Sequence, residues 1–168
     1  SSAQPGTLSP QTFRSGGEGP DAPSGSGLYR SADGGKTWNE VTGGGLPAKP
    51  YGRIAVAVAP SNSNVVYAFI EGVKGALFRS DDGGKTWDRR DDSQMMVWRP
   101  FYFANLIVDP ANADRVFKTN LGLIQSLDGG KTFAGTGGAH ADFHDVWIDP
   151  ADPKNVIAGD DGGIWYSK

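Results

Sequence analysis

The sequence contains no cysteine and only two histidines in 168 residues. Without cysteine there is no disulfide, no thiol nucleophile and no thiolate metal site. No apolar run is long enough to form a membrane-spanning helix, and no signal peptide is visible. Basic residues form no cluster or stripe and the net charge is −3, so nucleic acid is not an expected partner. No segment repeats its apolar residues at a helical period. These absences leave the compartment open.

What the chain does hold is self-similarity. One string occurs three times: Ser31-Ala-Asp33-Gly-Gly35-Lys-Thr37-Trp38, Ser80-Asp-Asp82-Gly-Gly84-Lys-Thr86-Trp87 and Ser126-Leu-Asp128-Gly-Gly130-Lys-Thr132-Phe133. The serines recur at intervals of 49 and 46 residues. A fourth apolar lead-in, Gly163-Ile-Trp-Tyr-Ser167, comes 41 residues later. Each string follows a short apolar run and precedes an aromatic, which reads as strand, tight turn, strand. The aspartate can accept backbone N–H groups around the bend, and the glycines adopt positive φ without steric cost. The terminal Trp38, Trp87 or Phe133 is expected to bury against the sheet. A calcium loop needs ligands at alternate positions and a distant glutamate, which the strings lack, so the structural reading is preferred.

A second repeat runs between the first. An apolar strand enters a proline turn and a second apolar strand follows, at 54–67, 106–117 and 146–157. The combined unit is four strands. One set is expected at 53–59, 65–70, 76–80 and 86–90, and the next at 102–108, 115–119, 122–126 and 131–135. The last is expected at 143–148, 155–158 and 163–167, and an outer hairpin at 27–31 and 37–41. A period of roughly 40–50 residues with short strands is that of β-propeller blades. The expected fold is therefore all-β, a partial β-propeller of four-stranded antiparallel blades, about two full and two incomplete. Residues 1–26, rich in Ser, Gly and Pro, read as a linker or long loop, and 27–168 as the propeller segment.

The three strings resemble the Asp-box (BNR) repeat family of β-propellers. In texture the chain is similar to bacterial sortilin-like and xyloglucanase-like proteins over residues 27–168. The resemblance implies export, to the periplasm or outside. Because Asp boxes occur in sialidases, xyloglucan-cleaving enzymes, sorting receptors and a photosystem assembly factor, it does not fix the function. A closed propeller typically has four to eight blades. The chain is thus expected to be a piece of a longer protein, or to complete its ring with the rest of the propeller or a partner chain.

The strand order puts the boxes on one face. The loops leading into each first strand, and those joining second to third strands, fall on the other. Both histidines lie there, in His140-Ala-Asp142-Phe-His144-Asp145. On a strand, His140, Asp142 and His144 would point together. Histidine with carboxylate suits a transition metal, general acid–base work, or simply a polar rim, and the rim is the preferred reading. The family often carries a similar stretch. Lys118, Asn120, Asp160 and Asp161 fall on the same face. Within the most aromatic stretch, Trp98, Arg99 and Tyr102 are candidates for sugar stacking or peptide binding, with Phe101 and Phe103 sharing the opposite side from Tyr102. Asp160, in Gly159-Asp160-Asp161-Gly162-Gly163, looks like the segment that carries one catalytic acid in xyloglucan-cleaving propellers. The bland alternative is a tight turn. Hydrolysis needs a second carboxylate, and none is apparent. The expected function is non-catalytic binding or scaffolding of a glycan, peptide or protein, with no cofactor. The alternatives are a hydrolase fragment and a subunit of a larger assembly.

Overall fold

A computed structural model describes residues 26–98 and 103–167. Of the expected linker, only Ser26 lies within the described residues. Among the described residues thirteen strands form four antiparallel sheets. The first sheet is a hairpin, β1 (Leu28–Arg30) with β2 (Asn39–Val41). The second runs in order β3 (Tyr51–Val58), β4 (Val66–Gly72), β5 (Ala76–Ser80), β6 (Asp88–Asp91). The third is β7 (Leu106–Val108), β8 (Val116–Lys118), β9 (Ile124–Ser126), β10 (Ala134–Gly135). The fourth has three strands, β11 (Phe143–Ile148), β12 (Val156–Asp160) and β13 (Gly163–Ser167).

One register recurs. Val66, Val116 and Val156 each pair with the serine that opens, or would open, a box: Ser80, Ser126 and Ser167. Side chains alternate across each sheet, so each of the two inner sheets seals two seams. In β4, Val66, Ala68 and Ile70 pack with Leu28 and Val41 of the first sheet. Tyr67 and Phe69 point the other way, onto Leu106, Val108 and Val116 of the third. Phe117 then meets Val146, Ile148 and Val156 of the fourth. The sheets are stacked face to face, and the cores are the seams between them.

Two expectations need correction. β7 is shorter than the expected 102–108, because Phe103 has φ 37 and interrupts the extended run. A single helical turn, α1 (Gln94–Val97), also appears, with Ser93 Oγ accepting the Met96 N–H at 3.3 Å. Four residues are too few to leave a periodic signal.

The three boxes are superimposable in their hydrogen bonding. In each, the serine hydroxyl donates to the aspartate (2.7–2.8 Å) and accepts the N–H of the second glycine (2.8–2.9 Å). The aspartate accepts the threonine N–H and hydroxyl. Gly35, Gly84 and Gly130 sit at φ 83–88, a region closed to most side chains. Trp87 is buried at 5% exposure, whereas Trp38 is 62% exposed, contrary to expectation. The side of the first sheet that Trp38 faces has no described sheet against it, and its indole N–H turns back to Gly35 O at 3.1 Å.

Candidate functional site

Backbone bonds fix which turns share a face. Gly83 N–H donates to Asn64 O at 2.8 Å and Gly129 N–H to Asp114 O at 2.9 Å. The boxes therefore lie beside the proline turns between first and second strands. At the other end, the loop leading into β11 is tied to the β8–β9 link: Asp142 N–H donates to Leu121 O and Phe143 N–H to Asn120 O, both at 2.9 Å. The candidate residues gather here, where the third and fourth sheets meet.

The centre of this cluster is His144. Its Nε2 lies 2.7 Å from Asp161 Oδ1, and its ring stacks on Phe103 with centroids 4.1 Å apart and planes 10° off parallel. Asn105 Nδ2 donates to His144 O at 2.9 Å. Phe103 is held in turn by the Thr119 hydroxyl, which donates to Phe103 O and accepts Asn105 N–H. Phe103 (φ 37) and Asp142 (φ 63) are the two non-glycine residues at positive φ among the described residues. Such strain persists only where surrounding contacts over-determine it, and it concentrates at functional sites.

His140 and Asp160 flank Gly162 next door. A Cβ at Gly162 would lie 2.5 Å from His140 Cβ and 3.2 Å from Asp160 Oδ1, so only glycine fits. Asp160 Oδ1 accepts Gly162 N–H at 2.8 Å and Gly163 N–H at 3.0 Å. Burial pushes this carboxyl up, but the Trp165 side chain, the two N–H groups and His140 outweigh burial and hold it below the ordinary carboxylate range. Asp160 is thus both part of a tight turn and an anion beside an imidazole.

Not every candidate joins the cluster as expected. His140 and Asp142 are not on a strand: β11 begins at Phe143, with an irregularity between Phe143 and Asp145. The proposed alternation of His140, Asp142 and His144 therefore fails. Asp145 Oδ1 caps the Val146 N–H at 2.8 Å. Trp98 is 50% exposed on the same face, its carbonyl bonded by the Asn120 side chain, but outside the His144 stack. Arg99, Phe101 and Tyr102 lie outside the described residues. Among the described residues no three His, Asp or Glu side chains are placed to hold a metal ion. The sequence reading missed Phe103, Asn105 and Thr119. The strand alternation it applied to Phe103 does not hold through a positive φ.

Among the described residues no helix is long and apolar enough to cross a membrane. No curated protein sequence matches the chain. The BNR/Asp-box repeat family matches residues 29–40 and 78–89. The third box, at 126–133, has the same hydrogen bonds without such a match. Solved structures match more broadly. The Niastella koreensis GH74 enzyme aligns over 67% of this chain and 20% of its own, at 22% identity and TM-score 0.58. An ancestral GH74 enzyme aligns over 84% and 20%, at 19% identity and TM-score 0.59. YCF48, solved bound to D1 peptide, aligns over 82% and 43%, at 16% identity and TM-score 0.57. The chain thus spans about a fifth of the GH74 enzymes and less than half of YCF48. At these identities the likeness concerns fold. Repeat match, hydrogen-bond pattern and structural likeness together make this chain a partial β-propeller built from BNR/Asp-box repeats.

Proposed function

We propose that the chain is a non-catalytic binding segment of an Asp-box propeller, taking a protein, peptide or glycan ligand at the face opposite the boxes. The observation that carries this is the Phe103–His144–Asp161 stack, braced by Thr119 and Asn105 on backbone held at positive φ. Asp142 and Asp160 neighbour His144 and Asp161 in the chain, and ionised carboxylates only accept hydrogen bonds. The ligand must therefore donate, through peptide N–H groups, basic side chains or sugar hydroxyls. The YCF48 likeness supports the peptide form and the GH74 likeness the glycan form. Peptide and glycan arrays probed with the whole chain test this. Binding should fall at least tenfold in Phe103→Ala and in Asp161→Asn, without turnover. Binding untouched by both substitutions would refute the site. Secretion or a periplasmic location belongs to the same proposal, and cell fractionation tests it.

A hydrolase fragment is the second reading, favoured by the place of Asp160 beside His140. A carboxyl held low is suited to act as a base or nucleophile rather than as the proton donor. Release of reducing ends from β-glucans, abolished in Asp160→Asn, would support this reading over the first.

A scaffolding role is supported by the open faces. Val56 and Val58 of β3 are exposed on the side where the first sheet supplies only two strands. Trp147, Ile164 and Tyr166 of the fourth sheet are also exposed. The positions equivalent to Trp147, Ala57 and Ile107, pack in seams with the following sheet. Further blades or a partner chain would cover these faces. Self-association measured by light scattering should fall in Trp147→Lys, and a strictly monomeric native chain would count against the role.

A further inference from the structure

The common register aligns Ala68, Lys118 and Ala158, each two residues beyond the valine that pairs with a serine at the end of the third strand. All three face the preceding sheet. Alanine fills the place in two sheets, so packing there does not call for a long side chain. Lys118 is nevertheless fully buried at 0% exposure, its Nζ has no hydrogen-bond partner, and it lies 4.9 Å from the Phe69 ring centroid. A charge in such a seam costs free energy unless paired, and a cation–π contact offsets that only in part. Burial pulls the amine down to about 8.

Among the described residues no nearby group compensates. On β4, Tyr67 and Glu71 share the Phe69 face. Tyr67 donates to Ala113 O at 2.8 Å and accepts from Arg79 at 3.0 Å, toward the box end. Glu71 accepts Arg53 N–H at 2.8 Å. Beyond Leu77 on β5, Arg79 is held by Asp81 and Asp114, and on β6 Arg90 faces Asp81 and Asp88. Leu106, Ile124 and Met96 complete the seam from β7, β9 and α1 without charge.

We propose that the seam between the second and third sheets is a proton-gated joint: proton uptake by Lys118 drives the upper end of β8 away from β4 and places the ammonium in water, while the seams built on Ala68 and Ala158 stay closed. Thr119 and Asn120 follow Lys118 directly, so opening also shifts the brace under Phe103 and the contact to Trp98. The inference does not depend on which ligand the face takes.

Met96, buried in this seam, and its exposed neighbour Met95 form a built-in probe pair. Peroxide oxidation of the whole chain, mapped by peptide mass spectrometry, gives the Met96/Met95 rate ratio. Opening that requires one proton changes up to tenfold per pH unit above the folded-state midpoint and levels off below it. The ratio should rise more than fivefold as pH falls from 9.5 to 8, then no more than about twofold further to 6.5. In Lys118→Leu and Lys118→Ala it should be flat and low throughout. The alanine variant, which copies the sibling sheets, serves if leucine overpacks the seam. A ratio independent of pH in the native chain, or an equal pH response in the variants, overturns the proposal.

Discussion

The three boxes offer one substitution in three environments, and the cost should follow burial rather than sequence. Ser80 and Ser126 are each 1% exposed, and their hydroxyls accept the Gly84 and Gly130 N–H groups at 2.8 and 2.9 Å. Alanine there leaves a buried N–H with no acceptor, where water cannot take over, and deprives the aspartate of a donor. Stranding a buried donor costs about 1–3 kcal/mol. Ser31 makes the same bonds in an exposed turn, where water replaces the hydroxyl. Substitutions at such places usually stay within about 0.5 kcal/mol. With a urea slope on the order of 2 kcal/mol per molar, Ser80→Ala and Ser126→Ala should each lower the unfolding midpoint by about 0.5–1.5 M, and Ser31→Ala by about 0.25 M or less. The measurement is urea unfolding followed by tryptophan fluorescence and circular dichroism, with the slope checked for constancy. Equal losses at all three serines would show that the box works as an autonomous turn, and the burial argument would fail.

Two further predictions concern the turns. Gly45→Ala should destabilise by about 3 kcal/mol or more, because φ is +104 and the new Cβ would lie 1.9 Å from Trp87 O, whereas Gly34→Ala (φ +73, open space) should cost about 1 kcal/mol; thermal melts compare them. The Asp33 carboxyl should titrate near 2 rather than 3.8 by carboxyl carbon NMR, since Thr37 N–H, the Thr37 hydroxyl and Ser31 favour the anion. Its contribution to stability is then fully present above pH 3.8 and lost as pH falls through 2; a midpoint near 4 would mean the box is open in solution.

The fold was legible because its determinants are local and repeated. Serine, aspartate, glycine and threonine at fixed offsets define one hydrogen-bonded bend, and three copies set the phase of every strand between them. The register pairs Val66 with Ser80 and Val116 with Ser126 as that phase requires. Where repetition stops, so does legibility. Trp38 ends a string that differs from that of Trp87 at one position and has a different fate, because burial depends on whether a neighbouring sheet lies against it. A short turn such as α1 follows from a Ser93 cap and the Met96 side chain finding the seam, and neither is a periodic signal.

The candidate site was half legible for a related reason. Composition located both histidines and their acidic neighbours, and topology put them at the end opposite the boxes, where the structure has them. Which of them touch is decided by the places where the backbone leaves the strand pattern. Phe103 is bulky and ordinarily avoids positive φ, and Asp142, though aspartate enters that region more readily than most residues, sits in a pattern that reads as strand, so sequence alone favours extended geometry at both. Tertiary bonds override that preference: Thr119 takes the Phe103 carbonyl and Leu121 takes the Asp142 N–H. The override turns Phe103 onto His144 and moves His140 toward Asp160 instead of into line with His144. The residues that depart from the repeat, Lys118 in place of alanine and Phe103 in place of strand, mark the two seams of the third sheet toward the face opposite the boxes. Departures of this kind cost stability that the sibling sheets do not give up, and both lie next to the acidic and aromatic groups at the third sheet.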